Sequence, residues 1–517
     1  MGRESLAGRG VRVRLADLVA GLPLSLLRGD DAAEVRGVAY DSRRVRAGDL
    51  FLAWRGARHD GHDFVSDALV AGAVGVVVER PEAVSPALPT GIAVLRTDDA
   101  RSLAGPLSAR LHGHPTSRLQ LVGVTGTNGK TTTTWLLREV LASMGPVGVI
   151  GTVSATVGGQ ARPSRLTTPE APDLQALFAE MALSGDRVCA MEVSSVALAR
   201  RRVEACAFDI AVFTNLTPDH LGPGEHPDFA HYRDSKRRLF ATVGRPVPGA
   251  PVKKGPTGVA VNIDDPEGEA MAALAAPAVP VLRFGFGTGA QVRAEAVEVD
   301  RSGTRFWIRH PGGRQRCSLQ LRGRFNAYNA LAAFSVGLLC GIDAAEAAAA
   351  LGRLAGVPGR LEPVPGNQPF TVLVDYAHTP DGLENVLRTA REIARGRVLA
   401  VFGCGGDRDR AKRPLMGAIG ARLADQVWLT SDNPRSEPPA AIVAEIEAGA
   451  HPVAGACYQV EVDRRQAIAA AIAAAEPGDV VVVAGKGHET YQVVGDHTVH
   501  FDDRQEAAAA LTRLGYR

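Results

Sequence analysis

The tightest constraint on this chain is the stretch Gly123-Val124-Thr125-Gly126-Thr127-Asn128-Gly129-Lys130-Thr131-Thr132-Thr133-Thr134. It follows the mostly apolar run Leu119 to Val122 and leads into a helix-like segment, Trp135 to Ser143. A strand, a glycine loop and a helix in that order make a cradle for phosphate. Glycines let backbone N–H groups approach an anion, and the helix N-terminus adds positive potential. Lys130 supplies a mobile cation and Thr131 a hydroxyl for phosphate-bound magnesium, so Gly126, Thr127, Asn128, Gly129, Lys130, Thr131 and Thr132 are candidate ATP contacts. Val124 stands where the first glycine of the usual P-loop spacing would be. A structural glycine turn capped by threonines is therefore the alternative.

At 517 residues the chain is too long for one core, and its length fits about three domains. With 58 Lys+Arg against 56 Asp+Glu, the net charge of +2 gives no reason to expect nucleic acid or an electrostatic membrane anchor. The longest apolar stretches, such as Ala71 to Val78 and Val480 to Ala484, are strand-length, so no membrane insertion is expected. Met1 to Arg14 carries arginines and glycines but no apolar targeting core. Six scattered cysteines form no C-x-x-C pair or His/Cys cluster. A reduced, cytoplasmic, monomeric enzyme without zinc is expected.

From Val11 to about Ser117, short β-branched runs alternate with alanine-rich stretches, as in a small α/β domain. Its polar turns, Tyr40 to Phe51 and Asp60-Gly61-His62-Asp63-Phe64, read either as functional loops or as plain surface loops. His114-Pro115-Thr116-Ser117 has linker chemistry, which sets the expected first domain at 1–117. The second, 118–356, repeats strand-like runs at Val147 to Ile150, Val188 to Val193, Ile210 to Phe213 and Val259 to Ile263. Such alternation makes a mostly parallel sheet, with ligands beyond the carboxyl ends of its strands. Polar residues stand at those ends: Glu192-Val193-Ser194-Ser195, then Thr214 to His220, with Lys236 in the helix-like Phe229 to Phe240. Glu192 and His220 suit a divalent cation at the phosphates. Alternatively they are a strand-end salt bridge and a helix-terminal polar group, and Lys236 is solvated. Proline and glycine make Gly244 to Gly258 a surface loop of variable form. Asn326 and Asn329, one helical turn apart, either read a base edge or cap their helix.

The third domain, 357–517, again alternates strand and helix. Four polar loops fall at one end of its expected sheet: Asp375 to Asp381, Gly403 to Arg410, Ser431 to Glu437, and Gly485 to Thr490. They suit an amphoteric ligand. Arg408 and Arg435 can grip carboxylate bidentately, while Asp432 and Glu489 can receive an ammonium group.

In combination, Gly126 to Thr131, Met191-Glu192-Val193-Ser194-Ser195, Gly323-Arg324-Phe325-Asn326 with Asn329, Asp375 to Asp381, Gly405 to Arg410 with Lys412-Arg413-Pro414, Asp432-Asn433-Pro434-Arg435 and Gly487-His488-Glu489 closely resemble the Mur ligases of peptidoglycan precursor synthesis. The resemblance runs from about Val35 to Arg504 and favours the branch that adds meso-diaminopimelate to UDP-N-acetylmuramoyl-L-alanyl-D-glutamate. It implies three α/β domains: an N-terminal UDP-binding domain, a central P-loop-type ATPase domain with a mostly parallel sheet, and a C-terminal Rossmann-like domain for the amino acid. It also implies ATP and Mg2+, an acyl phosphate, and small-molecule substrates alone.

Carried over by position, the resemblance implies Lys130 and Thr131 at phosphate and magnesium, Glu192 and His220 at a second magnesium, and Lys236 as a carbamylated lysine (N6-carboxylysine). It puts Arg360 at the terminal phosphate and Asn326, Asn329, Asp375, Tyr376 and His378 around the nucleotide. Ser42, Thr167, Thr168, Ser194, Arg200 and Arg202 would meet the UDP-peptide, and Arg408, Asp432, Asn433, Pro434, Arg435, Gly485 and Glu489 the diaminopimelate. Arg435 would hold the distal carboxylate that lysine lacks. Three departures fall on the UDP-peptide side: Val196 for the usual His, Arg200 for a frequent Gln, and Leu221-Gly222-Pro223-Gly224-Glu225-His226-Pro227 for Leu-Asp-(Tyr/Phe)-His-Gly. They admit a second reading, a paralogue acting on another carboxylate donor in specialised peptide synthesis. A third is a nucleotide-dependent regulatory protein without catalysis.

Overall fold

The computed structural model describes residues 11–56, 59–85, 91–222 and 225–517. The first ten residues of the start discussed above, and Pro223-Gly224 of the divergent loop, lie outside them. Alternating apolar residues build three sheets, each buried on both faces. In Gln120–Thr125, Val122 and Val124 enter one central core while Leu121 enters the opposite one. In Val398–Phe402, Val398, Ala400 and Phe402 face one core and Leu399 and Val401 the other. Two-sided burial of this kind is the mark of a helix-covered parallel sheet.

The central sheet has eleven strands. From one edge they run Gln160–Pro163, Ser154–Val157, Val147–Ile150, Val188–Glu192, Gln120–Thr125, Ile210–Phe213, Gly258–Asn262, Val281–Gly285, Val292–Asp300, Gly303–His310 and Gly313–Leu319. The run from Val147–Ile150 through Val292–Asp300 is parallel, and hairpins extend both edges. The glycine-loop strand therefore lies mid-sheet, flanked by the strands that end at Glu192 and Phe213. The C-terminal sheet orders Glu362–Pro363, Thr371–Asp375, Val480–Ala484, Val398–Phe402, Gln426–Leu429 and Tyr458–Val460, parallel after its first member. The N-terminal sheet orders Ser25–Arg28, Ala93–Arg96, Gly75–Val78, Asp49–Ala53 and Gly37–Ala39. No described helix is long and apolar enough to cross a membrane.

Two expectations change in the structure. The chain from Gly244 to Gly258 is irregular but pinned, because Lys253 pairs with Asp209 and donates to Ala207 O at 3.0 Å, while Gln120 Nε2 donates to Pro256 O at 2.6 Å. A buried carboxylate at a strand start requires such a cation. The Asp60-Gly61-His62 turn is a structural clip. His62, 3% exposed, donates from Nδ1 to Asp60 at 2.6 Å and accepts at Nε2 from the backbone of Glu79 (3.0 Å) and Arg80 (3.2 Å). His62→Ala is expected to cost about 2 kcal/mol, because those amides lose their acceptor. Hydrogen exchange at Glu79 and Arg80 should accelerate while that of the Gln120–Thr125 strand stays unchanged.

Candidate active site

At the end of the central strand the chain turns sharply twice. Gly129, at φ +86°, leads into the helix Lys130–Val140, where a β-carbon would collide with Asn329 Oδ1. That carbonyl is held in place because Asn329 Nδ2 donates to Asn326 Oδ1 at 2.9 Å, and Asn326 Nδ2 to Arg322 O at 2.7 Å. The two asparagines thus brace the glycine loop from the first turns of the helix Arg324–Leu339. Gly129→Ala is expected to weaken ADP binding at least about 100-fold by calorimetry, since it adds both a strained φ and a collision where backbone must meet phosphate. Gly159→Ala, also at positive φ but in open space, is the control.

Two lysines converge on one carbonyl. Lys130 Nζ donates to Gly126 O (2.9 Å) and Thr127 O (2.7 Å), and Lys236 Nζ, from the helix Phe229–Thr242, donates to Gly126 O at 2.7 Å. Lys236 is 1% exposed and lies 4.4 Å from the Tyr232 ring centroid. Burial, then the Lys130 ammonium, pushes its pKa well below the usual lysine value. Desolvation also lowers Lys130, with Glu192 and Asp219 opposing. Lys236 is therefore no solvated surface lysine.

Glu192 accepts from Thr152 N (2.8 Å) and Thr152 Oγ1 (2.9 Å) and has no salt-bridge partner among the described residues. His220, at φ +57°, lies between Asp219 (3.4 Å) and Glu225 (3.2 Å). Burial works to raise Asp219, but the His220 and His378 imidazoles and the Lys412 ammonium outweigh it and bring it down to about 2. Among the described residues no three His, Cys, Asp or Glu side chains form a metal cage.

Around the Glu192 strand end, Thr168 Oγ1 donates to Glu192 O (2.8 Å) and accepts from Ser194 N (3.1 Å). Ser194 Oγ caps the short helix Ser195–Ala199, which Arg200 closes. Arg202 donates to Thr168 O at 3.1 Å and pairs with Glu170 at 2.8 Å, and Thr167 Oγ1 meets Thr152 Oγ1 at 3.0 Å. Val196 carries no imidazole, and the nearby His226 Nε2 stands 2.9 Å from Ser195 Oγ. Ser42 opens a one-turn helix beside the N-terminal contact, in which Tyr40 (2.6 Å) and Arg44 (2.6 and 3.0 Å) grip Asp173 of the central domain.

The C-terminal loops turn toward this cradle. Arg360 Nη2 donates to Thr131 Oγ1 at 3.0 Å, with its guanidinium 4.6 Å from the Tyr376 ring centroid, and Asn128 Nδ2 donates to Asp381 at 2.7 Å. His378 Nδ1 donates to Tyr376 O at 2.8 Å, so Nε2 keeps its lone pair, and desolvation followed by Lys412 lowers the imidazole to about 4. Asp375, expected at the nucleotide, also braces the turn that carries Arg360. Its carboxylate accepts from the backbone N–H groups of Leu361 and Ala377, both 2.7 Å away.

Beyond lie the charged loops expected to take an amphoteric ligand. Arg435, at φ +53°, donates to Gly406 O at 2.6 Å. Burial, then neighbouring Arg408, lowers its guanidinium pKa. Asn433 Nδ2 donates to Glu489 at 2.9 Å. A β-carbon at Gly485, φ +116°, would press on Asp432 Oδ2 at 2.6 Å, and Pro434 O lies against Gly406. Sequence reasoning gave no role to Lys486, Asp219, Asp381, Lys412 or Tyr232, although all five sit inside stretches singled out above.

A glycine cradle with charged C-terminal loops turned toward it is the arrangement of an ATP-dependent ligase. Three family descriptions match in order: "Mur ligase family, catalytic domain" over residues 34–104, "Mur ligase middle domain" over 124–337 and "Mur ligase, glutamate ligase domain" over 359–487. The chain belongs to the Mur ligase family. A UDP-N-acetylmuramoyl-L-alanyl-D-glutamate–2,6-diaminopimelate ligase of Geobacter metallireducens is 44% identical over 97% of this chain and 99% of its own. One of Gloeobacter violaceus is 44% identical over 97% and 98%. A solved ligase of the same name is 28% identical with TM-score 0.65, covering 98% of this chain and 100% of its own. An ADP-bound MurF ligase of Thermotoga maritima shares the fold at 19% identity, TM-score 0.59, over 88% and 94%.

Proposed function

We propose that this chain uses ATP to join meso-diaminopimelate to the D-glutamyl carboxylate of UDP-N-acetylmuramoyl-L-alanyl-D-glutamate, in the cytoplasm, with one chain carrying a complete site. The pocket of Arg408, Arg435, Asp432 and Glu489, turned toward the glycine cradle, carries this reading. Diaminopimelate brings two carboxylates and two ammonium groups, and no simpler amino acid calls on both arginines and both acids. The names of the relatives given above agree with it.

In this reading Gly126 to Thr132 bind the ATP phosphates, with Lys130 and Arg360 balancing charge at the terminal phosphoryl group. Asn326 and Asn329 hold the loop, and Tyr376 and His378 wall the nucleotide. Mg2+ fits the donor set of Thr131 hydroxyl, Glu192 and His220, because it takes few protein ligands and keeps water and phosphate oxygens; when bound it neutralises phosphate charge. Thr167, Thr168, Ser194, Arg200 and Arg202, with Ser42 across the N-terminal contact, position the UDP-peptide. Its carboxylate oxygen attacks the terminal phosphorus and ADP leaves. The amine then attacks the acyl carbon, the C–O bond to phosphate breaks, and the ammonium proton is released.

Phosphate release from ATP with each substrate alone and with both together tests this. Release only with both supports it. Release with a different carboxylate donor would favour the paralogue reading. No release under any condition would leave a regulatory protein.

A further inference from the structure

We propose that Lys486 is a positioning residue of the amino-acid pocket, fixing both the charge and the aim of Glu489, an inference that rests on the pocket reading above. Its side chain is fully buried. The ammonium donates to Asn433 Oδ1 at 3.2 Å and to Glu489 Oε2 at 3.1 Å, and lies 5.5 Å from the Tyr491 ring centroid. A buried ammonium must be paired, so the side chain is committed to these partners. Asn433 Oδ1 accepts a second bond from Val493 N at 3.0 Å, which orients the amide so that Nδ2 faces Glu489. Lys486 thus fixes Glu489 directly and through Asn433.

The charge argument points the same way. Asp432 and Glu489 share one end of the pocket, and two adjacent buried carboxylates tend to hold a proton between them. Burial, then Asp432, raises Glu489, and Lys486 is the first opposing cause. Tyr376, Tyr491, Arg435 and Arg464 also face this carboxylate from the surrounding elements; Tyr491 hydrogen-bonds it, but Lys486 alone among the described residues forms a salt bridge with it. Two carboxylates and one ammonium leave a single net negative charge, the complement of one substrate ammonium. A protonated Glu489 would be a poor acceptor for it.

Lys486→Met in the full chain is expected to raise KM for meso-diaminopimelate about 30- to 100-fold, with kcat within about three-fold and KM for ATP within about two-fold. The excess over wild type should shrink as pH rises, as Glu489 ionises without its partner. A purely structural lysine would move both substrates and show no such pH trend. Glu489→Gln should raise the same KM, and the double variant should be no worse than Glu489→Gln alone. That comparison removes the unpaired carboxylate and so serves even if Lys486→Met folds poorly. An unchanged KM, a pH-independent excess or additive losses in the double variant would overturn the proposal. A wild-type chain without diaminopimelate-dependent phosphate release would instead sink the pocket reading itself.

Discussion

Replacing Lys236 with alanine is expected to lower turnover about 1,000-fold, the loss typical of deleting one preorganised charge at a phosphoryl-transfer site, while ADP binding changes only a few-fold. The nucleotide cradle survives because Gly126 O keeps its bond from Lys130. What disappears is an amine in an unusual environment: 1% exposed, stacked on Tyr232 and next to a second ammonium. Such a site favours the neutral amine, which alone adds CO2; the new N–C bond forms a carbamate and releases one proton. Carbamylation exchanges a repelled cation for an anion beside Lys130, so the electrostatics favour it. Wild-type activity should therefore fall in CO2-depleted buffer and return with bicarbonate, more steeply at lower pH, where less amine is neutral. The variant should not respond to bicarbonate. An unchanged rate in Lys236→Ala would show that the amine has no part in the reaction.

Features written locally were legible in the sequence. Gly126 to Thr131 spells out its own turn, and the alternation of Leu121, Val122 and Val124 declares a strand buried on both faces. The four C-terminal loops could be assigned to one end of a sheet because parallel topology leaves them no other place. Contacts between distant stretches were not legible. Arg360 reaches Thr131 across 229 positions and Asn128 reaches Asp381 across 253, and no periodicity encodes such a pairing. The same holds for the Lys253 plug in Asp209 and for the His62 clip, whose partners only folding brings together. Asp375 belongs with them: its bond from Leu361 N crosses 14 positions, and the residues after the strand gave no sign of it. Lys486 gave no signal because a lysine between two glycines looks exposed, whereas here the helix-covered sheet closes over it.

Arg435→Ala should abolish the preference for diaminopimelate over lysine while leaving ATP affinity within about two-fold. A bidentate pair between guanidinium and carboxylate makes two charge-assisted bonds worth about 1.5–3 kcal/mol each, so the loss corresponds to roughly a 100- to 10,000-fold rise in KM for diaminopimelate. The geometry suits this side chain to the proposed role. Its backbone is held in the left-handed region by a bond from Arg435 N to Val493 O (3.0 Å) and one from Gly495 N to Arg435 O (2.7 Å). Gly405 leaves room where a β-carbon would sit 2.8 Å from Nη1. Burial and Arg408 outweigh Asp432, Glu489 and Asp407 at the guanidinium, which forms no salt bridge among the described residues, so in the proposed reading it would gain from a distal carboxylate that lysine lacks. Alanine tolerates the same backbone almost as well as arginine, so the pocket walls stay in place and the loss reports on the guanidinium. Arg435→Lys should recover only part of it, since a point charge cannot match both carboxylate oxygens. Parallel losses for ATP and diaminopimelate would mean that Arg435 supports the fold of the loop and not the ligand.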